Sequence, residues 1–332
     1  MINEKYTIND ITKLFRITKT KTSIYNDEKT GVIPSADRES RGSTSVRAWD
    51  IKDLPAIGEK LGFLDKNKSK KVITVYTPKG GVLKTTFCLN LARILALHNM
   101  KTLVIGLDVQ CSITNNLLDD NNQIESLDEI QEYPGLFEIS QINSSMKVED
   151  IILGTDLPTL HFIPESSNLN FLEQTIRDSA KREFFISKIL QPIKDYYDVI
   201  IFDNSPNWNF LIQNSLAMAT DIISPISCDI ETYRSLTKNI EMIDNYKKLM
   251  ELNWNSFTLI PTKLERTKLS TQIEAQYRNT FTNIISNASI RSASIGQESS
   301  MVKKSVIEHD SKSSLADDYF YAISDIWKTI NR

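Results

Sequence analysis

The stretch ITVYTPKGGVLKTTFCLNLA, residues 73–92, joins an apolar strand-like segment to an apolar helix-like segment through two adjacent glycines. The strand pattern ends at Thr77, and the helical pattern begins near Lys84. Gly80 and Gly81 let the backbone approach an anion and direct N–H groups towards it, and a helix N-terminus adds partial positive charge. The stretch therefore predicts a strand, loop and helix that bind phosphate.

The loop is a variant of the usual phosphate-binding template, G-x-x-x-x-G-K-[ST]. Pro78 and Leu83 stand where that template has glycine, and Lys79 is an additional lysine. Because a side chain costs little at negative φ, we expect Leu83 to have a negative φ. We expect Lys84 to reach the outer phosphates of a nucleotide and Thr85 to hold Mg²⁺ through its hydroxyl group. The alternative is an ordinary strand–turn–helix with two surface lysines.

Short apolar runs alternate with helical patterns along most of the chain, and several runs are apolar on consecutive residues. Consecutive apolar residues are typical of strands that are covered on both faces. The sequence therefore predicts an α/β fold, a mostly parallel twisted sheet with helices on both faces and ligands at the carboxyl ends of the strands. The predicted strands lie at 72–77, 102–107, 160–164, 198–202, 221–226 and 257–261, and the predicted helices include 84–98, 181–196, 207–218 and 231–250.

Two aspartates come at the ends of predicted strands. Asp108 follows the run LVIGL, and Asp203 ends the segment DVIIFD. Phosphate-loop enzymes need an aspartate at such a strand end, close to Mg²⁺ and water. Because the carboxyl ends of parallel strands meet at one edge of the sheet, we expect both carboxylates to lie near the loop. Either aspartate alone would more often be an exposed strand-end carboxylate.

Three segments resemble motifs of the ParA/MinD family of ATPases, which are P-loop NTPases. KGGVLKTT (79–86) is similar to the family's deviant Walker A loop, GLDVQ (106–110) to its Walker A′ segment, and FDNSP (202–206) to its Walker B segment. The resemblance runs from about residue 71 to the C-terminus. The residues that depart from the family's usual glycine, first A′ aspartate and proline are Leu83, Gly106 and Val109.

The resemblance implies a homodimer that binds ATP or ADP with Mg²⁺ and hydrolyses ATP with weak intrinsic turnover. It implies that Lys84 binds the β- and γ-phosphates and that Lys79 reaches the ATP of the partner subunit. It also implies that Asp108 positions the attacking water and that Thr86 contacts the inner phosphates. The residues implied at the metal are Thr85 and Asp203, and those implied around the nucleotide are Lys79, Gly80, Gly81, Val82, Leu83, Lys84, Thr85 and Thr86. Pro261 and Thr262 stand where the family often has an asparagine near the adenine, and they are candidate nucleotide contacts.

Charge is unevenly distributed along the 332 residues. The net charge is −3, but residues 1–71 contain 15 Lys and Arg against 10 Asp and Glu, a balance of +5 that leaves −8 for the rest. The lysine-rich stretch LDKNKSKK (64–71) precedes the first strand pattern and predicts a boundary. We therefore divide the chain into an N-terminal domain (1–66), a linker (67–71) and an ATPase domain (72–332). The basic N-terminal domain indicates contact with nucleic acid, and an ordinary solvated surface is the alternative.

The N-terminal domain has the pattern of a winged helix-turn-helix. Ile8, Ile11 and Leu14 have helical spacing on one face, a break follows at 16–18, and a second helical stretch covers 19–28. A polar, hairpin-like stretch then carries arginines that can contact DNA phosphates. The segment resembles the MerR-like winged helix-turn-helix, and the alternative is a small helical protein-interaction domain. The candidate DNA-binding residues are Lys19, Lys21, Thr22, Tyr25, Arg38, Arg41 and Arg47.

Larger plasmid partition ATPases of the family carry such a domain ahead of the ATPase. The resemblance therefore implies an ATP-dependent DNA partition protein whose dimer binds DNA without sequence preference, with hydrolysis stimulated by a ParB-like centromere-binding protein. The N-terminal domain would bind a specific operator for autoregulation, and Lys303 and Lys304 are candidate contacts to non-specific DNA. The alternatives are a nucleotide-switched transcriptional regulator and a MinD-like positioning ATPase.

We expect a cytoplasmic, nucleoid-associated protein with no membrane partner. The N-terminus is too polar for a signal peptide, and no apolar run approaches the roughly 20 residues of a membrane span. The C-terminal segment 313–332 is too acidic for a basic amphipathic membrane-binding tail. Cys88, Cys111 and Cys228 are widely separated, which indicates reduced thiols and argues against a disulfide framework or a clustered metal site.

Overall fold

The computed structural model describes residues 5–41, 44–118, 133–141 and 144–332, without the side chains of residues 40, 41 and 44. Residues 5–66, here called the head, contain a small antiparallel sheet and three α-helices. These elements are β1 (Lys5–Thr7), α1 (Ile8–Leu14), α2 (Lys21–Lys29), β2 (Asp37–Arg41), β3 (Thr44–Asp50) and α3 (Leu54–Leu61). The strands lie in the order β1-β3-β2, and β2 and β3 form a hairpin in which Arg38 faces Arg47 across the ladder.

Local hydrogen bonds determine where the helices of the head begin. The backbone N–H of Thr7 donates to the carboxylate of Asp10 (2.9 Å) at the start of α1. The hydroxyl oxygen of Thr20 accepts from the backbone N–H of Ser23 (3.3 Å), so that α2 begins at Lys21. The predicted start at residue 19 is therefore two residues too early, and Lys19 lies in the turn that precedes the helix.

Among the described residues, seven strands form the main sheet, in the order β10-β9-β4-β8-β5-β7-β6. They are β4 (Lys71–Val75), β5 (Thr102–Leu107), β6 (Leu153–Gly154), β7 (Leu160–Ile163), β8 (Val199–Asn204), β9 (Asp221–Ser227) and β10 (Ser256–Thr262). Neighbouring strands are parallel except β6, which pairs antiparallel with β7 at one edge. The predicted mostly parallel sheet is confirmed.

Helices pack on both faces of this sheet. Val104 and Ile201 belong to the same apolar cluster as α4 and α14, whereas Leu103 and Ile200 belong to a cluster with α7 and α8 on the opposite face. Among the described residues, no helix is long and apolar enough to cross a membrane. The helices are α4 (Lys84–Leu97), α5 (Ser112–Leu117), α6 (Leu136–Ser140), α7 (Leu169–Arg177), α8 (Phe185–Leu190), α9 (Phe210–Met218), α10 (Ile230–Leu249), α11 (Lys268–Thr280), α12 (Ile295–Met301), α13 (Val306–His309) and α14 (Ser314–Ile330).

The structure shortens two predicted helices. The helix predicted over 207–218 begins at Phe210, after the N-cap Asn209. The segment predicted to be helical over 181–196 contains a 3₁₀ turn at Arg182–Phe184 and the short α8, which ends before Pro192. Pro192 has no backbone N–H to donate to the helix, and the chain continues in turns after Leu190 although Gln191 keeps a helical conformation. The two-residue strand β6 was not predicted, because so short a run carries no pattern.

The part of the chain from residue 71 onwards, here called the sheet domain, shares one hydrophobic core with the head. The head's Phe15 and Leu61 belong to the same buried cluster as Leu97 of α4 and Trp327 of α14. Gly58 in α3 lies so close to the carbonyl oxygen of Leu97 that a β-carbon would overlap it. This close packing explains why glycine occupies a helix interior, where it is otherwise unfavourable.

Polar contacts also join the head to the rest of the chain. The indole N–H of Trp327 donates to the carbonyl oxygen of Asp65 (2.8 Å), and the backbone N–H of Phe63 donates to the imidazole of His98 (3.1 Å). Arg16 forms an ion pair with Asp317 (2.7 Å). The division of the chain at residues 66 and 71 stays a prediction, and the contacts show that the predicted parts are tightly packed together.

A buried arginine connects α4 to two other parts of the chain. Arg93 is almost completely buried and forms two hydrogen bonds with Asp156 (both 2.9 Å) and two with Glu308 of α13 (2.7 and 2.8 Å). Burial alone would raise the pKa of Glu308, but the ion pair with Arg93 outweighs it and lowers that pKa. The pair therefore fixes α13 against the middle of the sheet domain.

Candidate nucleotide-binding site

A cavity of about 500 Å³ opens at the carboxyl edge of the main sheet. Parallel sheets bind ligands at this edge. The loop after β4, the turn after β5 and the segment after β8 surround the cavity. Its lining residues include Gly80, Gly81, Leu83, Lys84, Thr85, Thr86, Asp108, Val109, Gln110, Asn170, Ser205, Asn207 and Asn209.

The loop after β4 turns at two residues with positive φ, Gly81 (70°) and Leu83 (67°). The expectation of a negative φ at Leu83 is therefore wrong. The left-handed conformation costs an L-residue about 1–2 kcal/mol, so the loop keeps a glycine-like shape despite its leucine. The hydroxyl group of Thr262 donates to the carbonyl oxygen of Val82 (3.0 Å) and holds the loop against β10.

Lys84 begins α4 and is only 7% exposed. Its Nζ donates to the carbonyl oxygen of Lys79 (2.8 Å). Burial lowers the pKa of Lys84, whereas the nearby Asp203 and Asp108 raise it. Because an ammonium group has three donors, Lys84 can keep its bond to the loop while it binds phosphate oxygens.

Asp203 lies at the end of β8 and is fully buried. Its Oδ1 accepts a hydrogen bond from the thiol of Cys88 (3.3 Å), and its Oδ2 has no hydrogen-bond partner among the described residues. Burial raises the pKa of Asp203 to about 6, although Thr85, Cys88 and Lys84 lower it. A buried carboxylate oxygen without a partner fits Mg²⁺ or a water molecule bound to Mg²⁺, because this ion prefers oxygen ligands.

Asp108 lies in the turn after β5, and its Oδ1 accepts from the backbone N–H of Gln110 (3.0 Å). Thr85 and Thr86, in the first turn of α4, line the same cavity as Asp108. The structure thus brings together the loop after β4, the turn after β5 and the end of β8, as the sequence predicted. The individual roles assigned to these side chains stay predictions.

Glu165 is a residue near the cavity that the sequence analysis missed. It follows β7 after one proline, is 5% exposed, and accepts from the backbone N–H of Asp108 (3.2 Å) and of Thr114 (3.2 Å). The rule that selected Asp108 and Asp203, a carboxylate just beyond an apolar strand, would have found it. The lining amides Asn170, Asn207 and Asn209 carry no comparable signal in the sequence.

Glu165 makes the stability of the chain depend on pH. Burial, together with the nearby Asp203, raises the pKa of Glu165 from 4.5 to about 8, although hydrogen bonds from two backbone N–H groups lower it. Between these values the folded chain holds a proton that the unfolded chain has released, so the free energy of unfolding falls as pH rises.

Between about pH 5 and pH 8, the free energy of unfolding should fall less in Glu165→Gln than in the wild type, because glutamine cannot ionise. The two decreases should differ by at least about 1 kcal/mol. Urea unfolding of both proteins at several pH values measures this difference. Equal pH dependence in the two proteins would contradict the expectation.

Lys79 lies outside the lining of the cavity, at the base of the loop. Its Nζ contacts Asp229 and Glu231, each at 3.1 Å, beyond the end of β9. Burial lowers the pKa of Lys79, but the bonds to these two carboxylates outweigh it and raise that pKa. The acidic partners lie 150 and 152 residues away in the sequence, so no local pattern could predict them.

Pro261 and Thr262, the predicted adenine contacts, are buried in β10. Neither residue lines the cavity. The hydroxyl group of Thr262 is already bonded to Val82, which turns it away from any ligand. The structure therefore does not place these residues at the cavity, because both belong to the support beneath the loop.

The candidate DNA-binding residues of the head differ in their surroundings. Lys21, Thr22 and Arg38 are exposed. Lys19 pairs with Asp27 (2.9 Å), and Arg47 pairs with Glu28 (2.7 Å). The guanidinium group of Arg47 also lies 5.1 Å from the ring centre of Tyr25, within range of a cation–π contact. The side chain of Arg41 lies outside the described residues.

Lys303 and Lys304 follow α12, and both are partly buried. Lys303 has a positive φ of 57°. Burial lowers the pKa of Lys304, whereas Glu308 raises it. These lysines form a less open basic surface than the sequence suggested, and their contact with DNA stays a prediction.

A protein-family profile described as AAA domain matches residues 70–258, more than half of the chain. The chain belongs to this AAA domain family. Within it, the motifs and the relatives place the chain among the ParA/MinD-type P-loop ATPases. This AAA domain ATPase is 27% identical over 224 residues to the chromosome-partitioning ATPase Soj of Treponema pallidum, covering 66% of this chain and 82% of Soj.

Two solved structures show the same fold as this AAA domain ATPase. Cyanothece McdA in its ATP complex has a TM-score of 0.65 at 18% identity, covering 79% of this chain and 95% of McdA. A plasmid partition protein of Borrelia burgdorferi bound to AMPPNP has a TM-score of 0.62 at 20% identity, covering 79% of this chain and 99% of that protein. These likenesses confirm the P-loop NTPase fold predicted from the sequence.

Proposed function

We propose that the chain is an ATP-dependent DNA partition protein that works as a homodimer. The observation that carries this proposal is the site at the carboxyl edge of the sheet, where Lys84 and Asp203 lie near a glycine-containing loop. The buried Oδ2 of Asp203 has no hydrogen-bond partner in the part of the chain that the structure describes. Sequence relatives include proteins named for chromosome partitioning, and a protein with the same fold is named for plasmid partition. The ligands would be ATP or ADP with Mg²⁺.

Residues of this chain divide the work at the nucleotide. The backbone N–H groups of the loop and Lys84 would hold the phosphates, and Thr85 and Asp203 would hold Mg²⁺, which supplies charge neutralisation of the phosphates when it is bound. Asp108 would orient the attacking water. With Lys79 outside the cavity, intrinsic turnover would be weak, and a ParB-like centromere-binding protein would raise it.

Lys79 would act between subunits. Its ammonium group is held by Asp229 and Glu231 in the single chain. When ATP brings two subunits together, Lys79 would leave these carboxylates and bind the phosphates of the partner's ATP, where the charge-assisted hydrogen bonds are stronger. The closed dimer would then bind DNA without sequence preference on the nucleoid, with Lys303 and Lys304 among the contacts.

The head would supply a second, sequence-specific mode of DNA binding. Its α1 and α2 are separated by a short turn, and the β2–β3 hairpin follows, which is the element order of a winged helix-turn-helix. Lys21, Thr22 and Tyr25 would face the major groove, and Arg38 would contact phosphate. The head would bind an operator near its own gene and repress it.

The shared core favours a second candidate function. The chain would be a transcriptional regulator whose activity is switched by the binding of nucleotide. Because α3 packs directly on the helix that begins at the phosphate loop, a change at the nucleotide could alter the head. Stimulation of ATP hydrolysis by DNA together with a neighbouring gene's DNA-binding protein separates the two functions. Strong stimulation supports partition, whereas hydrolysis that does not respond supports the regulator.

The two modes of DNA binding should be separable in the full-length chain. We expect Lys21→Ala with Arg38→Ala to weaken binding to the chain's own upstream DNA by at least about tenfold, because base and phosphate contacts are lost. Binding of random duplex DNA in the presence of ATP should stay within about twofold, since phosphate contacts of the sheet domain dominate it. Gel-shift titrations with and without ATP measure both modes.

Lys52→Ala is the matched control, because Lys52 is an exposed lysine of the head outside α2 and the hairpin. It should leave both modes unchanged. Lys303→Ala with Lys304→Ala should give the opposite pattern, with loss of the ATP-dependent mode alone. If the wild-type chain shows no preference for its upstream DNA over random DNA, the operator proposal fails and the protein-interaction alternative gains.

A further inference from the structure

A carboxyl group outside the phosphate loop controls the shape of one wall of the cavity. Glu165 follows β7, and its side chain crosses to the end of the neighbouring strand β5. There its Oε1 accepts from the backbone N–H of Asp108, and its Oε2 accepts from the backbone N–H of Thr114. The backbone N–H of Glu165 in turn donates to the hydroxyl oxygen of Thr114 (2.8 Å).

These three bonds close the segment between β5 and α5 at both ends. Asp108 begins the segment, and Thr114 lies in the first turn of α5, so one carboxyl group sets the distance between them. The carboxylate of Asp108 accepts from the N–H of Gln110 within the same turn. Any movement of the Asp108 backbone therefore carries its carboxylate along with it.

Gly106 shows that the space for this carboxyl group is built into β5. A β-carbon at position 106 would overlap Cγ, Cδ and Oε1 of Glu165. Gly106 also lies directly opposite Asp203 in the ladder between β5 and β8. The Glu165 carboxyl group therefore occupies the volume where a side chain of residue 106 would begin, one strand away from the proposed metal ligand.

We propose that Glu165 is a positioning residue that holds the Asp108 carboxylate in place for ATP hydrolysis. Gly106 in β5 has no side chain, and the carboxyl group of Glu165, which follows β7, fills the space next to it. It acts through two backbone N–H groups and has no contact with the nucleotide of its own. This inference rests on the proposed ATPase function and adds a residue that none of the sequence motifs contains.

The first test compares nucleotide affinity with turnover. In Glu165→Ala, the affinity for ATP with Mg²⁺ should stay within about threefold of the wild type, whereas kcat should fall at least about tenfold, because a small displacement of a group that orients water is costly. Glu165→Gln keeps the size and one acceptor and should recover most of kcat. An unchanged kcat in Glu165→Ala would overturn the role.

A double variant separates positioning from mere support of the fold. If Glu165 acts through Asp108, Asp108→Ala with Glu165→Ala should hydrolyse ATP no more slowly than Asp108→Ala alone. Additive losses would overturn the proposal. Glu138→Ala is the matched control, because Glu138 likewise accepts from a backbone N–H, that of Gly135, but its hydrogen-bond partners among the described residues, Gly135 and Asn168, lie outside the β5–α5 segment.

A third measurement does not depend on activity. Amide hydrogen exchange at residues 108 and 114 should speed up at least about tenfold in Glu165→Ala and stay near wild type in Glu138→Ala. Unchanged exchange at both amides would overturn the inference. If the wild-type chain binds no ATP, the proposed function is wrong. The hydrogen-exchange measurement then still tests whether Glu165 holds the segment between β5 and α5 in place.

The space at Gly106 provides a separate test of where the Glu165 side chain packs. Gly106→Ala alone should be strongly destabilised, since its β-carbon overlaps the Glu165 side chain. Gly106→Ala with Glu165→Ala should regain stability relative to Gly106→Ala. If the second substitution brings no recovery, Glu165 does not fill the space above β5, and the proposal falls.

Discussion

Replacing Lys84 by alanine should lower the affinity for ATP at least about a hundredfold. Lys84 is buried at the N-terminus of α4, and its ammonium group lies near the carboxylates of Asp203 and Asp108. Charge-assisted hydrogen bonds to phosphate contribute about 1.5–3 kcal/mol each, and the variant loses them while both carboxylates remain. The affinity for ATP therefore falls for two reasons. The hydrogen bonds from Lys84 to phosphate are missing, and the negative charges of Asp203 and Asp108 are no longer compensated.

Isothermal titration of the full-length chain with ATP and Mg²⁺ measures this loss. Lys101→Ala is the control, because Lys101 is an exposed lysine that precedes β5 and lies away from the cavity lining. Its affinity for ATP should equal that of the wild type. A Lys84→Ala protein that binds and hydrolyses ATP as the wild type does would rule out the proposed site.

Replacing Lys79 by alanine should leave ATP binding within about threefold of the wild type and weaken ATP-dependent dimerisation at least about tenfold. Lys79 does not line the cavity of its own chain, and its partners there are Asp229 and Glu231. Its removal therefore costs little within one subunit, whereas the ion pair with the partner's phosphates is lost. Sedimentation with a slowly hydrolysed ATP analogue measures the dimer.

Glu231→Gln is the informative companion to Lys79→Ala. It weakens the hold on Lys79 within the single chain, so dimerisation should be as strong as in the wild type or stronger. If Lys79→Ala dimerises normally, Lys79 is a solvated surface lysine and the proposed exchange of partners is wrong.

The main sheet was predictable because its strands are apolar on consecutive residues. The runs at 102–107 and 221–226 match β5 and β9 to within one residue. The same pattern places Asp108 and Asp203 at strand ends, and that placement follows from the parallel arrangement alone. Strand length and burial thus determined most of the fold and two walls of the site.

Features that depend on distant parts of the chain were not predictable. Leu83 has a positive φ in a loop whose Val82 carbonyl oxygen accepts from Thr262 in β10, and no preference of leucine suggests this conformation. The ion pairs of Lys79 join it to residues far along the sequence. The lysine-rich stretch 64–71 has the composition of a free linker, yet the carbonyl oxygen of Asp65 is bonded to Trp327.

The common core of head and sheet domain limits how this kind of protein can change during evolution. Exchanging the head for one from another lineage would leave Leu97 and Trp327 facing a surface that was never fitted to them, and Gly58 allows no bulkier side chain against α4. The head must therefore change by substitutions on its exposed surfaces, such as the exposed face of α2, and not by recombination at residue 66. The head and the sheet domain must therefore be inherited as one unit.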